Sequence, residues 1–236
     1  MNYCINYLNK PDKRYASLMM LVELLKHAQF ITFNKIRKYK YTELFNNIIL
    51  EKKSTYRKKG LELIDECVKE ISKRDRSEQS NMLSKIYSDI FKEKQQNDVD
   101  SEVNCGVMMV LKSLLTYANK EIFEENFLEI CEFVNELKVS KTINNQQMVL
   151  EMYPILSSYS HETFQNSGFL TKAVENLLRL LRSQNHTLKK AGQNALAKIL
   201  EPYHADNIND LSKLSRVRAL IVGTKPIPAI PRIRAA

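Results

Sequence analysis

The sequence predicts an all-α fold, an α-solenoid of about five antiparallel helix pairs. Three observations carry that prediction. Five stretches are apolar at helical spacing: Ala16–Lys26, Lys59–Glu70, Cys105–Tyr117, Gln147–Tyr159 and Ala191–Leu200. Their matching positions, Ala16, Lys59, Cys105, Gln147 and Ala191, follow one another at steps of 43, 46, 42 and 44. With only 5 Gly and 6 Pro in 236 residues, the chain has few places to turn a sheet.

A helical unit that recurs at this period is the pattern of HEAT- and armadillo-type arrays. The units come as pairs. Thr42–Glu51 precedes Lys59–Ser72, and Asn81–Lys94 precedes Val103–Tyr117. Glu124–Lys138 precedes Gln146–Tyr159, and Phe169–Ser183 precedes Lys189–Leu200. Within Glu124–Lys138, the residues Phe127, Ile130, Cys131, Val134 and Leu137 recur at three and four, which lines one helix face. An isolated pair cannot bury both of its faces, so neighbouring pairs are expected to stack.

The first unit has only Asn2–Leu8 where a full helix is expected. Polar linkers are expected at Asn144-Asn145, Ser160–Ser167 and Asn185-His186-Thr187, with Thr187 as N-cap of the last helix. Lys94–Ser101 reads as an exposed loop. Pro154 lies in mid-pattern and either kinks its helix or divides it. Small residues open the second helices: Ala16, Gly60, Gly106 and Ala191 with Gly192. There they would let a neighbouring helix approach closely, against a helix-propensity cost of about 1 kcal/mol for each Gly. Neither end carries a polar capping repeat, so the array is expected to be cut from something longer.

The expected division is a helical array over residues 1–210 and a tail over 211–236. Pro226, Pro228 and Pro231 cannot all sit in a helix, so the tail is expected to be extended or disordered. It holds six basic residues and no acid, whereas residues 1–210 carry 30 basic and 27 acidic residues. The net charge of +9 therefore comes mostly from the tail, and the balanced body lacks the clustered excess of a dedicated nucleic-acid binder. No stretch approaches the ~20 consecutive apolar residues of a membrane span. Cys4, Cys67, Cys105 and Cys131 are widely spaced inside apolar patterns and read as small core hydrophobes of a reducing, cytoplasmic compartment.

No catalytic or cofactor motif is visible. His27, His161, His186 and His204 lack an Asp, Glu or Cys partner at ligand spacing. Gly223-Thr224-Lys225 lacks the upstream glycine of a phosphate-binding loop, and Pro226 follows its lysine. The chain is therefore expected to be no enzyme, to hold no cofactor or metal, and to work through surfaces. Two groups of charge are the candidates. Lys35, Arg37, Lys38 and Lys40, with Lys52, Lys53, Arg57 and Lys58, read as basic loops that would meet an acidic partner if they share one rim. Glu124, Glu125, Glu129 and Glu132, within a run of six acids from Glu121 to Glu136, read as an acidic outer helix face open to a basic partner.

Collinear segments add a resemblance. INYLNKPDKRYASLMMLVELL at 5–25, YRKKGLELIDECVKEISKRD at 56–75, VNCGVMMVLKSLLTY at 103–117 and the run from Phe123 to Ser183 resemble part of the HEAT-repeat region of the TOR (target of rapamycin) serine/threonine-protein kinases. Pro154 and the helix-closing Tyr159 fit that pattern. The resemblance implies a non-catalytic scaffold that binds protein subunits of a TOR-like complex in growth and nutrient signalling. It assigns no functional residue, since the family's kinase motifs are absent. The runner-up expectation is a stand-alone solenoid that binds nucleic acid or acidic partners through basic loops and tail.

Overall fold

A computed structural model describes residues 2–8, 10, 12–38, 41–92, 101–137 and 142–201. The expected loop at Lys94–Ser101 lies mostly outside them, and the tail over 211–236 wholly so, as do Lys40 and His204. Among the described residues the fold is all-α, with no strand.

The helices are α1 (Asn2–Tyr7), α2 (Arg14–His27), α3 (Gln29–Arg37), α4 (Tyr41–Ile49), α5 (Ser54–Ile71) and α6 (Arg76–Tyr87). They continue as α7 (Ser101–Tyr117), α8 (Phe127–Glu136), α9 (Ile143–Tyr159), α10 (His161–Asn166), α11 (Phe169–Leu181) and α12 (His186–Leu200). The five apolar stretches read from the sequence fall on α2, α5, α7, α9 and α12. A π-helical turn, Ser88–Lys92, extends α6, and a 3-10 turn, Lys120–Phe123, precedes α8.

Several local expectations are corrected. Ser160–Ser167 is not a bare linker: it forms α10, which buries Phe164. Gly168, at φ 77°, then turns the chain into α11 in the left-handed region that glycine adopts without strain. Asn144 and Asn145 belong to the first turn of α9. The N-cap of α12 is Asn185, two residues before Thr187; its side chain accepts from Leu188 N–H at 3.1 Å. Asp75 caps α6 in the same way, through Glu78 N–H at 2.9 Å. Pro154 neither ends nor divides α9, which runs through it. Lys35 and Arg37 are not loop residues but the last turn of α3, and Arg57 and Lys58 lie in the first turns of α5.

Contacts run in two rows. In the first row α2 packs on α5, α5 on α7, α7 on α9 and α9 on α12. Side chains across it pair at similar depths along each helix: Tyr15 stacks on Tyr56 at 5.3 Å, Asp65 accepts from Ser113, and Lys112 donates to Glu151 at 2.7 Å. Equivalent depth means that α2, α5, α7 and α9 point the same way. In the second row α4 meets the π turn of α6, α6 meets the 3-10 turn, and α8 meets α11.

Between the rows lies one hydrophobic core. At its centre Tyr87 stacks on Phe91 at 4.9 Å and lies 5.5 Å from Phe123, while Phe91 meets Phe133 edge-on at 5.0 Å. The π turn widens the helix by one residue per turn, which brings Ile90 and Phe91 together into the core.

Gly60 and Gly192 separate the two meanings of a small residue. A Cβ on Gly60 would lie 2.9 Å from Ile48 Cγ1 and 3.2 Å from its Cβ, in the stiff stem of a buried β-branched side chain. At Gly192 the nearest atom is Leu181 Cδ2 at 3.7 Å, an ordinary contact. Gly60→Ala is therefore expected to destabilise by about 1–2 kcal/mol, overpacking outweighing the propensity gain. Gly192→Ala is expected to be neutral or to stabilise by up to about 1 kcal/mol. Urea midpoints of the two variants check this, and equal shifts would contradict it.

Candidate interaction surface

Among the described residues, the basic groups predicted from the sequence do not converge. Arg37 and Lys38 close α3, before α4 begins, whereas Lys52 and Lys53 follow the end of α4, at least one nine-residue helix away. At ~1.5 Å per residue that is roughly 13 Å, so the two groups occupy opposite edges rather than one rim. Several of them also serve the fold. Arg37 pairs with Glu78, which Arg74 approaches at 3.8 Å while its guanidinium covers the Phe33 ring at 5.3 Å. Arg57 donates to the Glu51 carbonyl at 2.7 Å, and the Glu51 carboxylate pairs with Arg14. Partial burial opposes ionisation of Glu51, but the Lys53 N–H and the Arg14 guanidinium together hold its carboxyl below the ordinary value. Lys53 lies over the Tyr56 ring at 4.9 Å. Lys35, Lys38, Lys52 and Lys58 are exposed and remain available to a partner.

The acidic group divides too. Glu124, Glu125 and Glu132 are exposed, but Glu129 is half-buried and accepts from the Tyr87 hydroxyl at 2.7 Å. Burial and that carboxylate both push the Tyr87 phenol well above its ordinary range. Glu129 is thus a core fastening between α6 and α8, and Glu121 pairs with Arg76 across the same seam.

Two features were not read from the sequence. The first is a buried polar chain between α9 and α11. Asn176 donates to Tyr153 Oη at 3.2 Å and accepts from Arg179 at 2.8 Å. Burial raises the Tyr153 phenol to about 12. The second is an open groove of about 670 Å³ along the first row, between α9 and α12. Its floor holds Pro154, Ile155 and Ala191, and Lys190, Asn194 and Lys198 form one wall. Exposed apolar side chains also gather on α2, where Met20 is 56% and Met19 37% exposed beside Tyr15. They make α2 apolar on both faces.

Cys4, Cys67 and Cys131 are buried thiols. Burial pushes the Cys131 thiol up to about 12 and raises Cys67 as well, so neither is a ready nucleophile. Among the described residues no three His, Cys, Asp or Glu side chains converge to hold a metal ion, and no helix is long and apolar enough to cross a membrane.

No family model and no curated protein matches the chain. Among the solved structures similar to it are two engineered proteins. One is an engineered protein of the Northeast Structural Genomics Consortium, 16% identical, with a TM-score of 0.54 over 94% of this chain and 89% of that one. A second engineered protein from the same consortium is 15% identical, with a TM-score of 0.41 over 92% of this chain and 65% of that one. The first likeness bears on the fold, and the all-helical architecture is what it supports.

Proposed function

We propose that this chain is a non-catalytic α-solenoid scaffold that binds protein partners along its stacked helices. The observation that carries the reading is the row α2, α5, α7, α9 and α12, five long helices packed each on the next. Such a row offers one extended face to a partner instead of a closed cleft. The collinear resemblance to the HEAT-repeat region of TOR kinases makes subunits of a TOR-like, cytoplasmic signalling complex the partner class of choice. A protein partner also suits the charge better than nucleic acid does. The basic groups stand at opposite ends of α4, and several of their members already pair within the fold.

Affinity capture from native cells, with and without nuclease, tests the proposal. Stoichiometric protein subunits that survive nuclease are expected. Recovery of nuclease-sensitive material alone, or of nothing, would overturn it.

A further inference from the structure

We propose that the groove between α9 and α12 is the docking site for an acidic amphipathic segment, a short helix with one apolar stripe flanked by carboxylates. The inference rests on the scaffold reading and specifies where, and with what chemistry, a protein partner is held.

The groove has the two properties such a segment needs. Its floor is apolar: Pro154 and Ile155 from α9 and Ala191 from α12 are only partly covered by the fold. Its wall on α12 is cationic. Lys190, Asn194 and Lys198 recur every fourth residue, so they share one face, and all three are exposed. Lys190 and Lys198 stand about 12 Å apart along the axis, a little over two helical turns. A ligand helix with carboxylates two turns apart matches that spacing.

The opposite wall does not cancel this charge. Among the described residues Glu151 is the one carboxylate lining the groove, and both of its oxygens are engaged. Lys112 Nζ donates to one at 2.7 Å and Gln147 Nε2 to the other at 3.2 Å. The end nearest His186 and Thr187 is the N-terminus of the fifteen-residue α12, whose dipole adds to the positive field.

The same lining disfavours a nucleic acid strand. Single-stranded nucleic acid is held by aromatic platforms as well as by charge, and among the described residues no Phe or Tyr lines this groove. An apolar floor beside one cationic wall instead matches the recognition of an acidic amphipathic helix by its apolar positions at i, i+3, i+4 and i+7.

The test uses the full-length protein and three fluorescein-labelled probes in anisotropy titrations at moderate salt. The first is a peptide of about 14 residues, ~21 Å as a helix, with Leu at the groove-facing positions and Glu flanking them. The second is the same peptide with every Glu replaced by Gln. The third is an oligouridine of similar length. The acidic peptide is expected to bind saturably, the Gln peptide about tenfold or more weakly, and the oligouridine no better than the Gln peptide. In Lys190→Glu/Lys198→Glu, affinity for the acidic peptide is expected to fall about tenfold or more, with helical signal and melting unchanged because both side chains are exposed. A matching loss for Ile155→Glu would place the peptide on the floor of the groove. Absence of saturable binding, equal binding by the charge-reversed protein, or tighter binding of oligouridine would overturn the inference. The two proposals separate in the capture experiment: partners retained by Lys190→Glu/Lys198→Glu would remove the groove and leave the scaffold reading standing.

Discussion

Above pH 10 the protein is expected to unfold, and to do so as its buried tyrosines ionise. Tyr153 and Tyr159 are 3% and 5% exposed. Burial raises both phenols to about 12 from the ordinary 10.0, and Tyr87 is raised further still. The sign follows from linkage. Between pH 10 and 12 the unfolded chain releases these protons and the folded chain keeps them, so the unfolded state gains. The stability these phenols contribute is complete below pH 10 and is withdrawn as the pH rises through the folded values. At about 1.4 kcal/mol per pH unit, Tyr153 and Tyr159 each withdraw on the order of 3 kcal/mol by pH 12. Cys131, raised to about 12 from 9.0, begins to act a unit earlier. Together these losses are comparable with the whole stability of a domain, roughly 5–15 kcal/mol. Urea midpoints measured from neutral pH to pH 12, beside the tyrosinate absorbance, check the account. The late tyrosinate signal should appear together with loss of helix. Smooth ionisation of every tyrosine near pH 10 with helix retained would contradict it.

Tyr159 is expected to be the most costly single phenol to lose. Its ring closes α9 and stacks on Phe127 at 5.7 Å. Its hydroxyl donates to the carbonyls of Lys120 at 2.5 Å and Asn119 at 3.2 Å, and accepts from Phe123 N–H at 3.3 Å. One side chain therefore satisfies the turn that leads from α7 into α8. Tyr159→Phe keeps the ring and strands those backbone groups, for an expected loss of about 1–3 kcal/mol. Tyr159→Ala also opens a cavity beside Phe127, for about 3–5 kcal/mol in total. Denaturant titration of both variants reads the two contributions separately. If Tyr159→Phe matched the wild type, the hydroxyl would have no structural role.

The long helices were legible because each carries a continuous apolar stripe, and the stripe survives whatever the loops do. Phe169–Leu181 shows this most clearly: Leu170, Ala173, Val174 and Leu177 recur at three and four, and all four are buried. Two helices escaped notice for opposite reasons. In α3 the lysines and arginine of its last turn resembled a basic loop, although Phe33 and Ile36 are wholly buried beneath them. In α10 a polar run of six residues hides the single buried anchor Phe164. The candidate site was less legible than the fold. Arg37 and its partner Glu78 are separated by 41 residues, and Tyr87 and Glu129 by 42, so neither pairing leaves a trace in local spacing. The groove likewise needs α9 and α12 side by side. Lys190, Asn194 and Lys198 share a helix face that can be counted in the sequence, but only packing supplies the apolar floor beneath them.

In the row of packed helices, α2 and α12 are four steps apart. Spin labels at Met20→Cys on α2 and Gln193→Cys on α12, in a Cys105→Ser background, measure that separation directly. Interaxial steps of 8–10 Å predict a distance of about 30–40 Å. A narrow distribution in that range is the expected result, and a distance below about 25 Å would mean that the ends of the row fold back on each other and that the stacked arrangement is wrong.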